Sequence, residues 1–383
     1  MKQSIVVILD PRGNISSGGE DVIQRHNLYA NELTNHSKIY KLIILTSSSE
    51  KKLTKNKGNR LEIYQISKPT HNPVMFAFKA KKILRKYNFD VKLLVAGDPW
   101  ESFWSSYFLG KFLGKKTPIQ TQVHGDIADP YWKKINLINR ARYYLAKVSL
   151  PKSTSVRAVS RHQVINLSKN FKIKLSKIDV IPVPIKVPSK SLAVNKVTNR
   201  PRTIGLVGRI HEDRGIWDFV RLVKAINSST NDFKVIVIGT GNQKSSFLKR
   251  LKLVISNKRV TYLGQLSEKE LNNAWNKIGV LVSIAPVESY GRVMREALLA
   301  GVSVWAAPTS GAKDLFKECK GGQIRVLELN DNPKVLNQSF ESLLNSKIDL
   351  KYRSKFIKEN SGYAAKLINS WLITIKKSNL YRN

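Results

Sequence analysis

Thr203-Ile-Gly-Leu-Val207-Gly-Arg209-Ile-His-Glu-Asp-Arg214-Gly215-Ile-Trp-Asp-Phe-Val-Arg-Leu-Val-Lys-Ala-Ile226 changes its period once, between its glycines. The first five residues form a short, mostly apolar run, the mark of a strand covered on both faces. From Gly215 onward, Ile216, Phe219, Val220, Val223 and Ile226 recur at helical spacing, which lays one apolar face on a sheet. The stretch is one strand–loop–helix unit of a parallel α/β sheet, with two arginines on the loop.

The unit repeats in both directions. Downstream, Lys234–Ile238, Val260–Leu263, Gly279–Ile284, Val302–Ala306 and Gln323–Leu327 read as further strands; upstream, so do Ile5–Leu9, Tyr40–Leu45, Val91–Ala96, Ile119–Val123 and Ser155–Val159. Two such series in 383 residues predict an α/β protein of two Rossmann-like domains. Pro182-Val-Pro-Ile-Lys-Val-Pro188 and the Ser/Lys/Asn-rich run after it mark the break. The expected division is 1–187, a linker at 188–201, a second domain at 202–360, and a last helix with tail at 361–383. That helix carries Leu367, Ile368, Trp371, Leu372 and Ile375. In open parallel sheets ligands bind at the carboxyl ends of strands, and two such domains facing one another make a cleft.

Two strand ends carry chemistry. Arg209 and Arg214, on a loop running into a helix, can grip a diphosphate through forked donors, and the helix N-terminus adds its own positive field. Farther on, Val287-Glu288-Ser-Tyr-Gly291-Arg-Val-Met-Arg-Glu296-Ala-Leu-Leu-Ala-Gly301 sets two carboxylates eight positions apart. Glu288 falls in a loop and Glu296 inside a helix starting near Gly291. Both can line one pocket and accept hydrogen bonds from the hydroxyls of a ligand, with the backbone N–H groups of Tyr290 to Val293 aimed into it. The plainer alternatives are a helix cap for Glu288 and a solvated helix position for Glu296.

Taken in order, Gly-Arg-x4-Arg-Gly, Gly239-Thr-Gly241, Tyr-Leu-Gly264, Glu-x7-Glu and Ala-Pro-Thr-Ser-Gly311 resemble glycosyltransferase family 4, the retaining group 1 transferases of GT-B fold. The likeness is strong over about 200–318. In the first half it rests on Ser17-Gly18-Gly19-Glu20, Thr121-Gln-Val-His124-Gly125-Asp126 and Ala158-Val-Ser160. It implies two Rossmann-like domains across a cleft, the first binding the acceptor and the second the nucleotide sugar, with the C-terminal helix crossing back to the first. It also implies roles. Arg209 and Arg214 would hold the donor diphosphate, Glu288 the sugar hydroxyls and Glu296 the ribose. Gly239, Gly241, Leu263 and Gln265 would flank the base. Tyr290, Gly291, Arg292 and Val293 would present backbone donors, Gly18 and Gly19 would allow close approach to the phosphates, and His124 would lie near the reacting sugar. Two departures stand out: Arg214 replaces the family's usual lysine, exchanging a point charge for a planar fork, and the segment after Glu296 reads Gly-Val-Ser-Val, from Gly301, in place of Gly-x-Pro-Val.

The expected reaction is transfer of a sugar from a nucleoside diphosphate sugar, with retention and by front-face attack. Arg209, Arg214 and helix N-termini would stabilise charge on the leaving diphosphate. No cofactor and no metal are expected, because the sequence has no Asp-x-Asp, no His-x3-His pair and no P-loop. A sugar-nucleotide epimerase or hydrolase of similar fold is the enzymatic alternative; free sugar released without a glycoside product would identify it.

Charge points to a partner. Lys and Arg number 66 against 27 Asp and Glu, a net +39, and residues 51–200 alone hold 31 against 7. Such a field attracts polyanions, although lysine-rich composition alone also explains it. A nucleic-acid-binding protein is disfavoured, since no recognisable module accompanies the charge. Val74–Lys86 and Tyr131–Tyr144 mix aromatic, aliphatic and basic residues at helical spacing, as interfacial helices do. Lys81, Lys82, Arg85, Lys86, Lys133, Lys134, Arg140 and Arg142 are therefore expected to meet an anionic membrane or a lipid-linked anionic acceptor. With one cysteine, Cys319, and no apolar run of about 18 residues, the expected setting is cytoplasmic and peripheral to the membrane, in cell-surface polysaccharide synthesis.

Overall fold

The computed structural model describes residues 2–36, 40–48, 60–114, 116–187, 200–230, 232–320 and 322–380, with side chains to 378. The stretch read as a linker lies outside the described residues apart from Arg200 and Pro201. The chain divides into two units, Met1–Pro182 with Ser361–Asn383, and Val183–Asn360.

In the first unit β1 (Gln3–Asp10), β2 (Lys41–Ser47), β3 (Leu61–Ser67), β4 (Phe89–Ala96), β5 (Ile119–Val123), β6 (Ser155–Ala158) and β7 (Ile178–Val180) form one parallel sheet, ordered β3-β2-β1-β4-β5-β6-β7. The order reverses between β1 and β4. Helices α1 (Gly19–His36), α2 (Pro73–Lys86), α3 (Glu101–Phe112), α4 (Leu137–Lys152) and α5 (Arg161–Phe171) cover it. Strand β1 shows why the sheet forms: Val6 and Ile8 enter one core with Leu33 and Trp371, while Ile5, Val7 and Leu9 enter the opposite core with Phe76 and Phe103. The C-terminal helix Tyr363–Leu380 completes this unit. Leu367, Ile368 and Trp371 are buried against α1 and the sheet, and the Trp371 indole donates to Gln120 Oε1 at 2.8 Å.

The second unit repeats the plan with β8 (Thr203–Val207), β9 (Lys234–Ile238), β10 (Val260–Gly264), β11 (Val280–Ser283), β12 (Ser303–Ala306) and β13 (Ile324–Val326), ordered β10-β9-β8-β11-β12-β13. Between and after them run α6 (Ile216–Asn227), α7 (Lys244–Val254), α8 (Glu268–Ala274), α9 (Arg292–Leu299), α10 (Ser310–Glu318), α11 (Pro333–Leu344) and α12 (Leu350–Ser361); the C-terminal helix is α13. The apolar face of α6 is rotated slightly from the sequence expectation: Leu222 is buried with Ile216, Phe219, Val223 and Ile226, and Val220 sits at its edge. Here too the order reverses at the first strand, between β8 and β11; the loop leaving β8 carries Arg209 and Arg214, and the loop and helix after β11 carry Glu288 and Glu296.

Candidate functional site

At the end of β8 the chain turns through Gly208, whose φ is +140°, and reaches α6 through a short 3-10 turn, Glu212–Arg214, and Gly215. Gly215 is required twice over. Its φ is +71°, and a Cβ there would stand 2.3 Å from the Ile284 carbonyl oxygen. This close approach brings the mouth of α6 against the end of β11.

The loop after β11 carries Glu288, whose Oε1 accepts from the backbone N–H of Gly291 at 3.0 Å and of Tyr290 at 3.4 Å, just ahead of α9. Its Oε2 accepts from Arg214 Nη1 at 3.3 Å. Glu288 is thus both the cap that the plainer reading foresaw and a partner of Arg214. This corrects one expectation: the N–H groups of Tyr290 and Gly291 are engaged by Glu288 and do not point into an open pocket. Arg209 donates from Nη2 to Asp213 Oδ2 at 2.6 Å on its own loop. Arg209 nevertheless keeps further donors in its fork.

A cavity of about 390 Å³ opens at the point where strand order reverses, the position at which α/β sheets bind ligands. Arg209, Arg214, Glu288, Arg292, Val293 and Glu296 line it together. The Arg292 guanidinium stands 3.8 Å from Glu296 Oε1. Burial raises the Glu296 pKa; Arg292 opposes that and Glu268 adds to it. Three arginines, two carboxylates and the N-terminus of α9 therefore share one concavity. The sequence reading gave Arg292 only a backbone role and missed its side chain; its place in the first turn of a helix at a strand end was the available signal.

Other expected residues stand apart from this cavity. Gly239 and Gly241 follow β9, and Cβ atoms there would lie 1.9 Å from Gly208 O and 2.1 Å from Ile210 O. Both support the arginine loop by letting two backbones touch. Leu263 lies in β10, with Gln265 just beyond it. Tyr290 is buried, with the Arg295 guanidinium 4.2 Å from its ring centroid, and Arg295 in turn donates to Glu318 at 2.8 Å. Sequence reasoning missed this buried cation, which locks α9 to α10.

In the first unit Gly18 and Gly19 lead into α1. A Cβ on Gly18 would strike Val22 Cγ2 at 2.5 Å, while Gly19, at φ +71°, faces open space. His124 follows β5, with its Nε2 3.1 Å from Gln122 Oε1. Of the basic residues, Lys81, Lys82, Arg85 and Lys86 lie on α2. Lys133 and Lys134 lie on a 3-10 turn and Arg140 on α4, where Lys133 covers the Tyr143 ring at 5.0 Å. Arg142 differs from the expected surface cation: it turns inward to Glu101, at 3.4 Å, and to the face of Trp100.

Residues 190–362 match the sequence model of the family "Glycosyl transferases group 1". Among relatives, the chain is 27% identical over 215 residues to the capsular polysaccharide biosynthesis glycosyltransferase CapM of Staphylococcus aureus, 53% of this chain and 55% of that one. It is 22% identical over 306 residues to the N-acetylgalactosamine-N,N'-diacetylbacillosaminyl-diphospho-undecaprenol 4-alpha-N-acetylgalactosaminyltransferase of Campylobacter jejuni, 77% and 80% of the two chains. A 2-deoxystreptamine N-acetyl-D-glucosaminyltransferase of Niallia circulans aligns at 22% over 38% of this chain and 37% of its own. The match thus spans about a third to a half of two of these relatives and four-fifths of the Campylobacter protein. Among solved structures, sucrose-phosphate synthase from Thermosynechococcus elongatus superposes with a TM-score of 0.65 at 16% identity, covering 100% of this chain and 98% of that one. Anabaena HepE in complex with UDP and glucose gives 0.62 at 15% identity, over 94% and 98%. The fold is the two-domain GT-B fold, and the second unit is where the likeness to the group 1 glycosyl transferases lies.

Proposed function

We propose that the protein transfers a sugar from a nucleoside diphosphate sugar to a glycan or glycolipid acceptor, with retention and without a metal, as a member of family 4. The observation that carries this is the convergence of Arg209, Arg214, Arg292, Glu288 and Glu296 on one cavity at the switch point of the second sheet. Guanidinium forks match diphosphate oxygens, and carboxylates accept from sugar and ribose hydroxyls. The raised Glu296 pKa suits a group at a partly dry site.

In the reaction, the anomeric C–O bond breaks as charge gathers on the diphosphate. Arg209 and Arg214 then bind the leaving group more strongly than they bind the intact donor, which lowers the barrier. Arg214 is tied to Glu288, so the residue on the phosphates and the residue on the sugar hydroxyls are set relative to each other before any ligand arrives. The acceptor attacks from the face the diphosphate leaves, and a diphosphate oxygen takes the acceptor's proton. A panel of UDP, GDP and ADP sugars in thermal-shift measurement tests the reading, followed by turnover with the stabilising donor after exhaustive chelation. Stabilisation by at least one donor and chelator-resistant transfer are expected. No stabilisation by any of them would end the proposal, and activity restored only by a divalent ion would end its metal-independent form.

For the acceptor we propose a lipid-linked anionic glycan presented at a cytoplasmic membrane face. The Campylobacter relative is named for a diphospho-undecaprenol-linked sugar. On α4, Leu137 is 80% exposed and Ile138 64%, with Tyr144, Leu145 and Val148 also outward, among Arg140 and Lys147. On α2, Val74, Met75 and Phe78 are exposed beside Lys82, Arg85 and Lys86. Each basic residue near an anionic surface contributes about 1 kcal/mol. No described helix is long and apolar enough to cross a membrane. Co-sedimentation with anionic vesicles at low salt, weakened by high salt and by Lys81/Lys82/Arg85/Lys86→Gln, is expected; equal binding to neutral vesicles refutes it.

A further inference from the structure

We infer that the Arg292 side chain holds the α-phosphate of the donor, the phosphate joined to the ribose, while Arg214 meets the β-phosphate next to the sugar. This order of contacts rests on the glycosyl-transfer reading, which gives the ribose to Glu296 and the sugar hydroxyls to Glu288.

Three guanidinium groups line the cavity, and two of them are already engaged. Arg209 donates to Asp213 Oδ2 at 2.6 Å and Arg214 to Glu288 Oε2 at 3.3 Å. Arg292 Nη2 stands 3.8 Å from Glu296 Oε1, an ion pair beyond hydrogen-bond distance, so its fork is uncommitted among the described residues. The Arg292 side chain is 55% exposed, and a pair so placed adds little to stability. The fold does not need this cation. Meanwhile Glu288 takes the N–H groups of Gly291 at 3.0 Å and Tyr290 at 3.4 Å, so two backbone donors at the mouth of α9 are spent inside the protein. The uncommitted fork belongs to the next residue along, and it faces the same cavity.

Each carboxylate of the cavity has one guanidinium beside it. Arg214 is tied to Glu288, and Arg292 precedes Glu296 by one turn on the same face of α9. A nucleoside diphosphate sugar runs ribose, α-phosphate, β-phosphate, sugar. A donor that lays its ribose on Glu296 and its sugar on Glu288 therefore brings the α-phosphate to Arg292 and the β-phosphate to Arg214. One turn of helix is about 5.4 Å, a step that the 5′ carbon bridges between ribose hydroxyls and phosphate. A planar fork there can take two oxygens of one phosphate at once. The two cations then differ in what they do. The α-phosphate keeps its bonds when the sugar leaves, so Arg292 grips donor and product alike and serves affinity, whereas Arg214 sits where charge gathers.

Titration calorimetry of the full-length protein tests this with the free nucleoside, monophosphate and diphosphate of uridine, guanosine and adenosine. For the base that wild type accepts, Arg292→Met should weaken the monophosphate and the diphosphate by the same factor, about tenfold or more, the value of a charged hydrogen bond. Arg214→Met should weaken the diphosphate alone. In steady-state transfer, Arg292→Met should raise donor KM by that factor with kcat within about threefold of wild type. A monophosphate affinity in Arg292→Met within about twofold of wild type overturns the assignment. An equal loss for the free nucleoside overturns it too, because the effect would then lie with Glu296 and the ribose. So does a wild type that binds a diphosphate but not its monophosphate. If wild type binds none of these compounds, the glycosyl-transfer reading has failed and the assignment falls with it; binding of any nucleotide by wild type leaves that reading standing whatever Arg292→Met does.

Discussion

Replacing Glu288 by glutamine separates the two jobs of this side chain. In the folded protein Oε1 accepts from two backbone N–H groups and Oε2 from Arg214 at 3.3 Å. Glutamine retains an oxygen for the backbone but turns an NH2 group toward the guanidinium. The Glu288 side chain is 25% exposed and that of Arg214 43%, so water screens the lost pair, and its removal should cost about 1 kcal/mol of stability or less. Catalysis has more to lose. Once a donor fills the cavity, water leaves, and charged hydrogen bonds to sugar hydroxyls are worth about 3 kcal/mol, or roughly a hundredfold in rate. The prediction is a Tm within a few degrees of wild type alongside a loss of about a hundredfold in kcat/KM. Differential scanning calorimetry and steady-state release of nucleoside diphosphate measure the two. A well-folded Glu288→Gln protein turning over within threefold of wild type would show that the carboxylate is only a cap.

Arg209→Ala should weaken binding of the free nucleoside diphosphate itself in titration calorimetry; unchanged affinity would remove the phosphate role from this residue. Gly239→Ala places a Cβ 1.9 Å from Gly208 O at φ +123°, so the arginine loop must move or the domain must loosen. A drop of at least about 3 kcal/mol in urea unfolding is expected, and a stable, fully active variant would contradict the described backbone. His26, 6% exposed, has its pKa lowered to about 4 by burial. Above pH 6.5 it is neutral in both states. Between about 6.5 and 4 only the unfolded chain takes up the proton, so up to about 3 kcal/mol of stability should be lost as pH falls through this window. The variant His26→Gln should show a shallower loss there by chemical denaturation, and a wild-type stability flat across the window would refute the assignment.

Strands with both faces apolar announced themselves, and β8, β9 and β5 lie where Thr203–Val207, Lys234–Ile238 and Ile119–Val123 predict. The edges did not. In β3, Leu61-Glu-Ile-Tyr-Gln-Ile-Ser67 mixes polar with apolar residues at the edge of the sheet, and β7 is three residues long. At the candidate site Arg209, Arg214, Glu288 and Glu296 were legible because they sit on the loop or first turns between a strand and a helix, while the Arg292 side chain was not. Their internal pairings were not: Arg209 with Asp213 and Glu288 with the N–H of Gly291 depend on rotamers that spacing does not fix. Arg157, buried on β6, was opaque for another reason. Its acceptors on Ile181, Pro182 and Gln122 lie 24, 25 and 35 positions away, and two of these are backbone oxygens that every residue has.

The first unit is interrupted in sequence, and that has a cost in time. Residues 1–182 leave the ribosome with Tyr29, Leu33 and the β4 and β5 face awaiting Leu367, Ile368 and Trp371, and the whole of the second unit is synthesised before those side chains exist. At about 5–20 residues per second the gap lasts on the order of 10–40 s. Throughout it, a greasy, strongly basic half-molecule must avoid its neighbours, while the second unit, continuous in the chain, closes its own core without waiting. A ribosome that stops short of α13 would therefore leave the second unit finished and the first, which carries His124, unsealed.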